Sequence, residues 1–254
     1  MLIHGFIDLA YAWHEVAELL APHGHVIAPD LRGHGDSDRV GAGGYYHFLD
    51  YVADLDDVIA QLARPRVVVV GHSMGGSVAS YYAGSRAQQL HGLALIEGMG
   101  PPDMTGTDGP QRTSSWIDAW RTARKRVKPM ATLDDAVARL QLHDPLLDRA
   151  LARRLAEHGT RATPDGLVWK HDPLHMTFSP YPFRLDTAIR YWQRISCPVL
   201  IIDGEQSKLN LPEDERARRR TRFAHHRHVV IANAGHTIHR HQPAALAREI
   251  LTLV

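Results

Sequence analysis

Residues 66–85 read RVVVVGHSMGGSVASYYAGS, and this stretch constrains the fold more tightly than any other. Four consecutive valines describe a strand buried on both faces, the kind found inside a parallel sheet. The next five residues, Gly71-His72-Ser73-Met74-Gly75, give the chain room for a sharp turn, and GGSVASYYAG continues as a close-packed helix. A strand, a strained glycine-flanked turn and a helix together form a nucleophile elbow, which lifts the serine hydroxyl above the sheet. An ordinary polar turn is the competing reading, and the strand before and helix after Ser73 weigh against it.

The rest of the chain repeats this alternation. Short apolar runs at 2–4, 25–30, 66–71, 92–98, 198–204 and 227–233 read as strands. Between them, Trp13 to Leu20 and Phe48 to Leu62 carry apolar residues at helical spacing, and Pro243 to Leu253 forms a last helix. The pattern predicts an α/β protein, a mostly parallel sheet flanked by helices. Residues 101–185 break the rhythm with a turn-rich opening and helical stretches near 114–127, 133–142 and 146–158. A proline-rich segment with Trp169, Phe178, Tyr181 and Phe183 follows, too apolar to stay solvated as a linker. The expected organisation is a core of residues 1–100 and 186–254, with 101–185 inserted as a helical cap.

Composition excludes several classes. A formal net charge of +1 gives no global attraction to nucleic acid, and the basic runs at 121–128 and 216–222 lack interleaved aromatics and read as solvated helix faces. No segment approaches the ~20 apolar residues of a membrane span, and the N-terminus has no leader pattern, so a cytoplasmic protein is expected. Cys197 is the single cysteine, which rules out an internal disulfide and reads as a buried thiol. The 18 histidines are scattered or lie in AHHRH (224–228), without a regular ligand spacing, so neither metal nor cofactor is expected. Oligomeric state is not legible.

With the elbow in place, the sequence resembles the α/β-hydrolase family in four ordered blocks. LIHGF (2–6) is similar to the family's oxyanion loop and VIAPDLRGHGDSD (26–38) to the stretch after its next strand. GHSMG (71–75) matches the elbow, and NAGHTIH (233–239) resembles the loop bearing the catalytic histidine. The resemblance implies Ser73 as nucleophile, His236 as base ahead of His239 and His241, and the backbone N–H groups of Phe6 and Met74 as oxyanion donors. His4, Gly5, Asp30, Arg32 and Asp38 read as loop-shaping residues. Relatives usually carry about two further strands before the HGF strand, so N-terminal strands are expected to be missing and residues 25–30 to form an exposed edge strand.

The acid is the difficult member. In most of the family it is an aspartate three residues past the glycine that ends the PVLII strand, and here that position is Ser207. A hydroxyl carries no charge at neutral pH and cannot stabilise an imidazolium. In some relatives the acid sits instead at the end of the preceding strand, where this chain has Glu97. Glu97 is the expected acid, with Asp203, Glu205 and a weakened dyad as alternatives. A serine rather than an aspartate at the elbow argues against the dehalogenase and epoxide-hydrolase branches. The resulting expectation is a cofactor-free serine hydrolase acting on an ester or related acyl bond of a small-molecule substrate. A non-catalytic α/β-hydrolase-like binding protein is the alternative.

Overall fold

In the computed structural model, residues 1–254 are described except 108, 124, 126, 178 and 210, so Phe178 and parts of the 121–128 run lie outside the described residues. The sheet contains β1 (Leu2–Ile3), β2 (Val68–His72), β3 (Gly92–Ile96), β6 (Val199–Gly204) and β7 (His226–Ile231), all parallel and in the order β1-β2-β3-β6-β7. A separate antiparallel hairpin, β4 (Thr160–Thr163) with β5 (Gly166–Trp169), lies between β3 and β6 in the chain. The helices before β3 are α1 (His14–Leu20), α2 (Phe48–Leu62) and α3 (Met74–Ser85). Between β3 and β6 lie α4 (Gly109–Ala123), α5 (Leu133–His143), α6 (Arg149–Gly159) and α7 (Leu185–Trp192). After β6 come α8 (Glu213–Arg220), α9 (Ile238–His241) and α10 (Pro243–Leu251).

Strand alternation divides the core in two. Val69, Leu93, Leu95 and Ile201 point to the face covered by α2, α3 and α7, where Tyr82, Trp192 and Phe223 pack. Val70, Ala94, Ile96, Leu200 and Ile202 point to the other face, against Trp13, Val16, Leu246 and Ile250 of the N- and C-terminal helical segments. Burial on both faces is why these strands read as continuous apolar runs. A third cluster, Met130, Val137, Leu151 and Leu155 with Trp169 at its edge, gives the α5–α6–hairpin segment its own apolar interior. Among the described residues, no helix is long and apolar enough to cross a membrane.

Two expectations need correction. Residues 25–30 form no strand: one backbone bond, Leu2 N–H to the Ile27 carbonyl at 2.8 Å, ties them to β1, and most of the stretch is half-exposed. A two-residue β1 offers too short a ladder to organise a neighbour. The 216–222 run is not simply a solvated helix face either. Arg219 is 1% exposed and donates to the carbonyls of Met99, Gly100 and Pro101, while Glu215 neutralises it from one helical turn away.

Candidate active site

Parallel strands in register bring their C-terminal ends to one level. His72 lies beside Ile96, and Ile96 beside Ile202, so the residues that follow β2, β3 and β6 emerge side by side. Crevices at such strand ends are where ligands bind in open α/β sheets. Ser73 follows β2 with φ 51° and ψ −117°, a conformation costly for a residue with a side chain, and its N–H is held by the Ile96 carbonyl at 2.9 Å. The turn closes because Gly71 and Gly75 carry no side chains. A Cβ on Gly71 would strike the Gly75 carbonyl, and one on Gly75 would strike the backbone of Ile3 and His4.

Glu97 follows β3 at φ 51°, and its side chain is 1% exposed. Its Oε2 lies 3.2 Å from His236 Nδ1 and accepts the Ser207 hydroxyl at 2.8 Å, while Oε1 accepts Gly204 N–H at 2.7 Å. A carboxylate accepting from Nδ1 leaves the lone pair of the imidazole on Nε2, as a general base requires. Ser207 therefore donates to the carboxylate at the end of the neighbouring strand. Asp203 faces elsewhere: its Oδ2 receives Arg216 at 2.8 Å and His228 at 2.9 Å. Glu205 instead accepts Asn233 N–H at 3.1 Å.

The histidine loop is held at several points. His72 Nε2 donates to the His236 carbonyl at 2.9 Å, so the residue before Ser73 fixes the backbone of His236. His241 accepts Gly235 N–H at Nδ1 and meets Asp144 at 2.8 Å through Nε2, and Thr237 donates to the other Asp144 oxygen. Burial would raise the Asp144 pKa, but the bonds from His241 and Thr237 outweigh it and hold the carboxyl below its ordinary value. His239 turns inward toward Asp8 and His72. The two alternatives to His236 thus have other partners.

On the facing side, the loop of residues 4–8 is set by buried histidines. His4 Nε2 accepts Leu31 N–H at 2.9 Å, and its Nδ1 donates to the Gly5 carbonyl at 2.7 Å. His34 Nε2 accepts Ile7 N–H at 3.3 Å, with Ile7 itself at φ 49°. Burial keeps both rings neutral, pushing His34 down to about 2 and His4 below its ordinary value. Asp30 braces the same region by accepting Ala10 N–H at 2.6 Å and Asp36 N–H at 2.9 Å. Arg32 forks onto Asp54, and the Asp38 carbonyl takes Gly33 N–H. Met74 is the first residue of α3, where backbone N–H groups have no intrahelical acceptor. Phe6, immediately before Ile7, is 46% exposed.

Sequence reasoning missed Asp8, Arg240 and Asp144. Arg240 Nη2 meets Asp8 Oδ1 at 2.5 Å, an ion pair joining the loop after β1 to the loop that carries His236. Burial opposes ionisation of Asp8, but Arg240 and His239 override it and hold the carboxyl well below the usual range. Residues more than 200 positions apart leave no local pattern for such a pair.

Comparison with known proteins agrees with this architecture. The profile of the alpha/beta hydrolase family matches residues 1–249. A serine hydrolase-like protein of Danio rerio is 24% identical over 98% of this chain and 79% of its own length. An epoxide hydrolase of Siraitia grosvenorii is 36% identical, over 38% of this chain and only 31% of its own. Among solved structures, a thioesterase domain from the curacin biosynthetic pathway superposes with a TM-score of 0.87 at 29% identity, covering 98% of this chain and 89% of that one.

Proposed function

Because the chain belongs to the alpha/beta hydrolase family, we propose that it is a serine hydrolase cleaving a carboxylic ester or related acyl bond through an acyl-enzyme. The observation that carries this reading is the pair of buried Glu97 carboxylate and half-buried His236 at 3.2 Å, set at the strand ends beside the strained Ser73 turn. In the first half-reaction Ser73 Oγ attacks the acyl carbon as His236 Nε2 takes its proton. The negative charge on the acyl oxygen is received by the N–H groups of Phe6 and Met74. Collapse of the tetrahedral intermediate breaks the bond to the leaving group, which takes the proton from His236. Water then repeats the cycle on the acyl-enzyme and frees the acid and Ser73. Glu97 holds the His236 tautomer and stabilises the imidazolium.

Residues 101–185 act as the cap in this reading, since Asp144 at the end of α5 reaches His241 and Thr237 in the histidine loop. The exposed side chains of Phe6 and Ile7 beside the proposed oxyanion donor favour a small to medium apolar acyl group. Epoxide opening fits less well, because an ester intermediate with the ring carbon calls for a carboxylate nucleophile where this chain has Ser73. Thioesters share the acyl chemistry and remain within the proposal. The binding-protein alternative drew support from Ser207, and that support weakens once Ser207 is seen donating to Glu97. The test is rapid-mixing hydrolysis of p-nitrophenyl acyl esters. A burst of p-nitrophenol stoichiometric with enzyme is expected when deacylation limits, and turnover absent across acetyl to octanoyl esters and thioesters overturns the proposal.

A further inference from the structure

Beneath the elbow, three buried side chains from three distant segments converge. Asp8 follows the oxyanion loop, His72 precedes the elbow serine, and His239 lies in α9; one ligand atom from each falls within 4.8 Å of the others. We propose that Asp8, His72 and His239 bind a divalent transition cation of the zinc class, and that its binding inhibits the hydrolase.

Hydrogen bonding around the cluster matches what such a site needs. His72 Nε2 must carry the ring proton, because its partner, the His236 carbonyl, can only accept. Nδ1 is then a lone-pair nitrogen, and it is buried without a hydrogen-bond partner. A histidine that donates one ring N–H to a backbone carbonyl while leaving the other nitrogen bare has the arrangement of a metal ligand. His239 makes no hydrogen bond from either buried ring nitrogen, with Nε2 3.5 Å from Asp8 Oδ2, and it is fixed by stacking on Trp13. Asp8 gives Oδ1 to Arg240 and Leu9 N–H, which leaves Oδ2 facing His239. Leaving buried polar nitrogens unpartnered is costly, and a shared cation gives one nitrogen of each histidine and one Asp8 oxygen a common partner.

The donor set names the class of ion. Two neutral imidazoles and one carboxylate suit zinc and its neighbours; magnesium and calcium take oxygen ligands. Bond lengths of ~2.0–2.2 Å require the three groups to contract around the ion. Contraction displaces His72, which is covalently joined to Ser73 and hydrogen-bonded to His236, so the nucleophile and base are pulled out of register. Arg240 already neutralises Asp8, which weakens the attraction for a second cation. The site therefore fills when the free ion is raised and is emptied by a chelator. Binding stands on the cluster alone, whereas inhibition rests on the hydrolase reading.

The experiment uses the full chain after chelator treatment. Zinc is titrated calorimetrically, and zinc X-ray absorption is recorded at one equivalent. The expected result is one site with two imidazole ligands and an oxygen-rich remainder. It should persist when the exposed pair is removed (His225→Ala with His226→Ala) and weaken more than ~10-fold in His239→Gln. The absorption spectrum of the unmutated chain decides the matter if His239→Gln does not fold. Fewer than two imidazoles, or tight binding that survives in His239→Gln and disappears with the exposed pair, overturns the site. Zinc that binds here without slowing ester turnover overturns the inhibition. A chain that binds zinc as described but turns over no ester contradicts the hydrolase reading and leaves the site standing.

Discussion

Replacing Glu97 by glutamine separates the acid from every other role at the site. The amide is nearly isosteric, and the buried pocket fixes which way it points. Oε1 must remain an oxygen because Gly204 N–H donates to it at 2.7 Å, so the amide NH2 takes the Oε2 place, 3.2 Å from His236 Nδ1. The Ser207 hydroxyl can rotate to accept from that NH2, which keeps the packing. His236 cannot remain as it was: facing a donor, it moves its proton to Nε2 and presents N–H instead of a lone pair to Ser73. The comparable aspartate-to-asparagine change in serine proteases costs ~10⁴-fold in kcat, or about 5 kcal/mol of barrier, and a loss approaching this is expected. Asp203→Asn is the control. Its partners are Arg216 and His228, so it should lower the melting temperature while sparing most of kcat/KM. The assay is kcat/KM on one activated ester for both variants, with circular dichroism to confirm folding. A folded Glu97→Gln near wild type, with Asp203→Asn crippled, refutes the assignment of the acid.

Other expectations follow from neighbouring contacts. Ser207→Ala removes a hydroxyl donating to the Glu97 carboxylate at 2.8 Å; a bond to a charged group is worth roughly 1.5–3 kcal/mol, and an intermediate fall in kcat, well short of Glu97→Gln, is expected in steady-state kinetics. Arg219→Met strands the carbonyls of Met99, Gly100 and Pro101 and leaves Glu215 with Arg218 as its remaining partner, which should cost roughly 1–3 kcal/mol and lower Tm by about 2–10 °C. Acid should destabilise the fold early: burial pushes His175 down to about 4, so below pH ~6.5 the unfolded chain binds a proton that the folded chain refuses. This contribution is fully present above that pH and is lost progressively down to about pH 4, by roughly 3 kcal/mol. His34, pushed lower still by burial, acts in the same direction. Urea unfolding at pH 7 and pH 5 measures this, and equal stabilities would contradict it.

The Ser73 turn, the loop bearing His236 and the strand-end glutamate were legible in the sequence because each is a local pattern tied to a strand end. Glu97 stood out as a charge closing an apolar run, and in the structure Gly204, Ser207 and His236 donate to it. Asp203 stayed an alternative in the sequence, because nothing there shows that Arg216, one helix later, turns back onto it. The β4–β5 hairpin was missed although Thr163-Pro164-Asp165-Gly166 is a turn signal between short alternating runs; the surrounding prolines hid it. Residues 25–30 have a strand's composition but almost no ladder. Arg219 was masked by its basic neighbours, since a charge count cannot tell a solvated guanidinium from one gripping three carbonyls. Asp8, His72 and His239 are brought together only by the fold.

Labelling with a serine-reactive fluorophosphonate, followed by peptide mapping, tests the central claim most directly. The probe needs an activated serine and an oxyanion site but no knowledge of the substrate. One phosphonyl group per chain is expected, on Ser73, with labelling absent in Ser73→Ala and strongly slowed in a folded Glu97→Gln. A folded wild-type chain that takes up no probe, or one labelled at another serine and still labelled in Ser73→Ala, would contradict the assignment of Ser73 as the nucleophile.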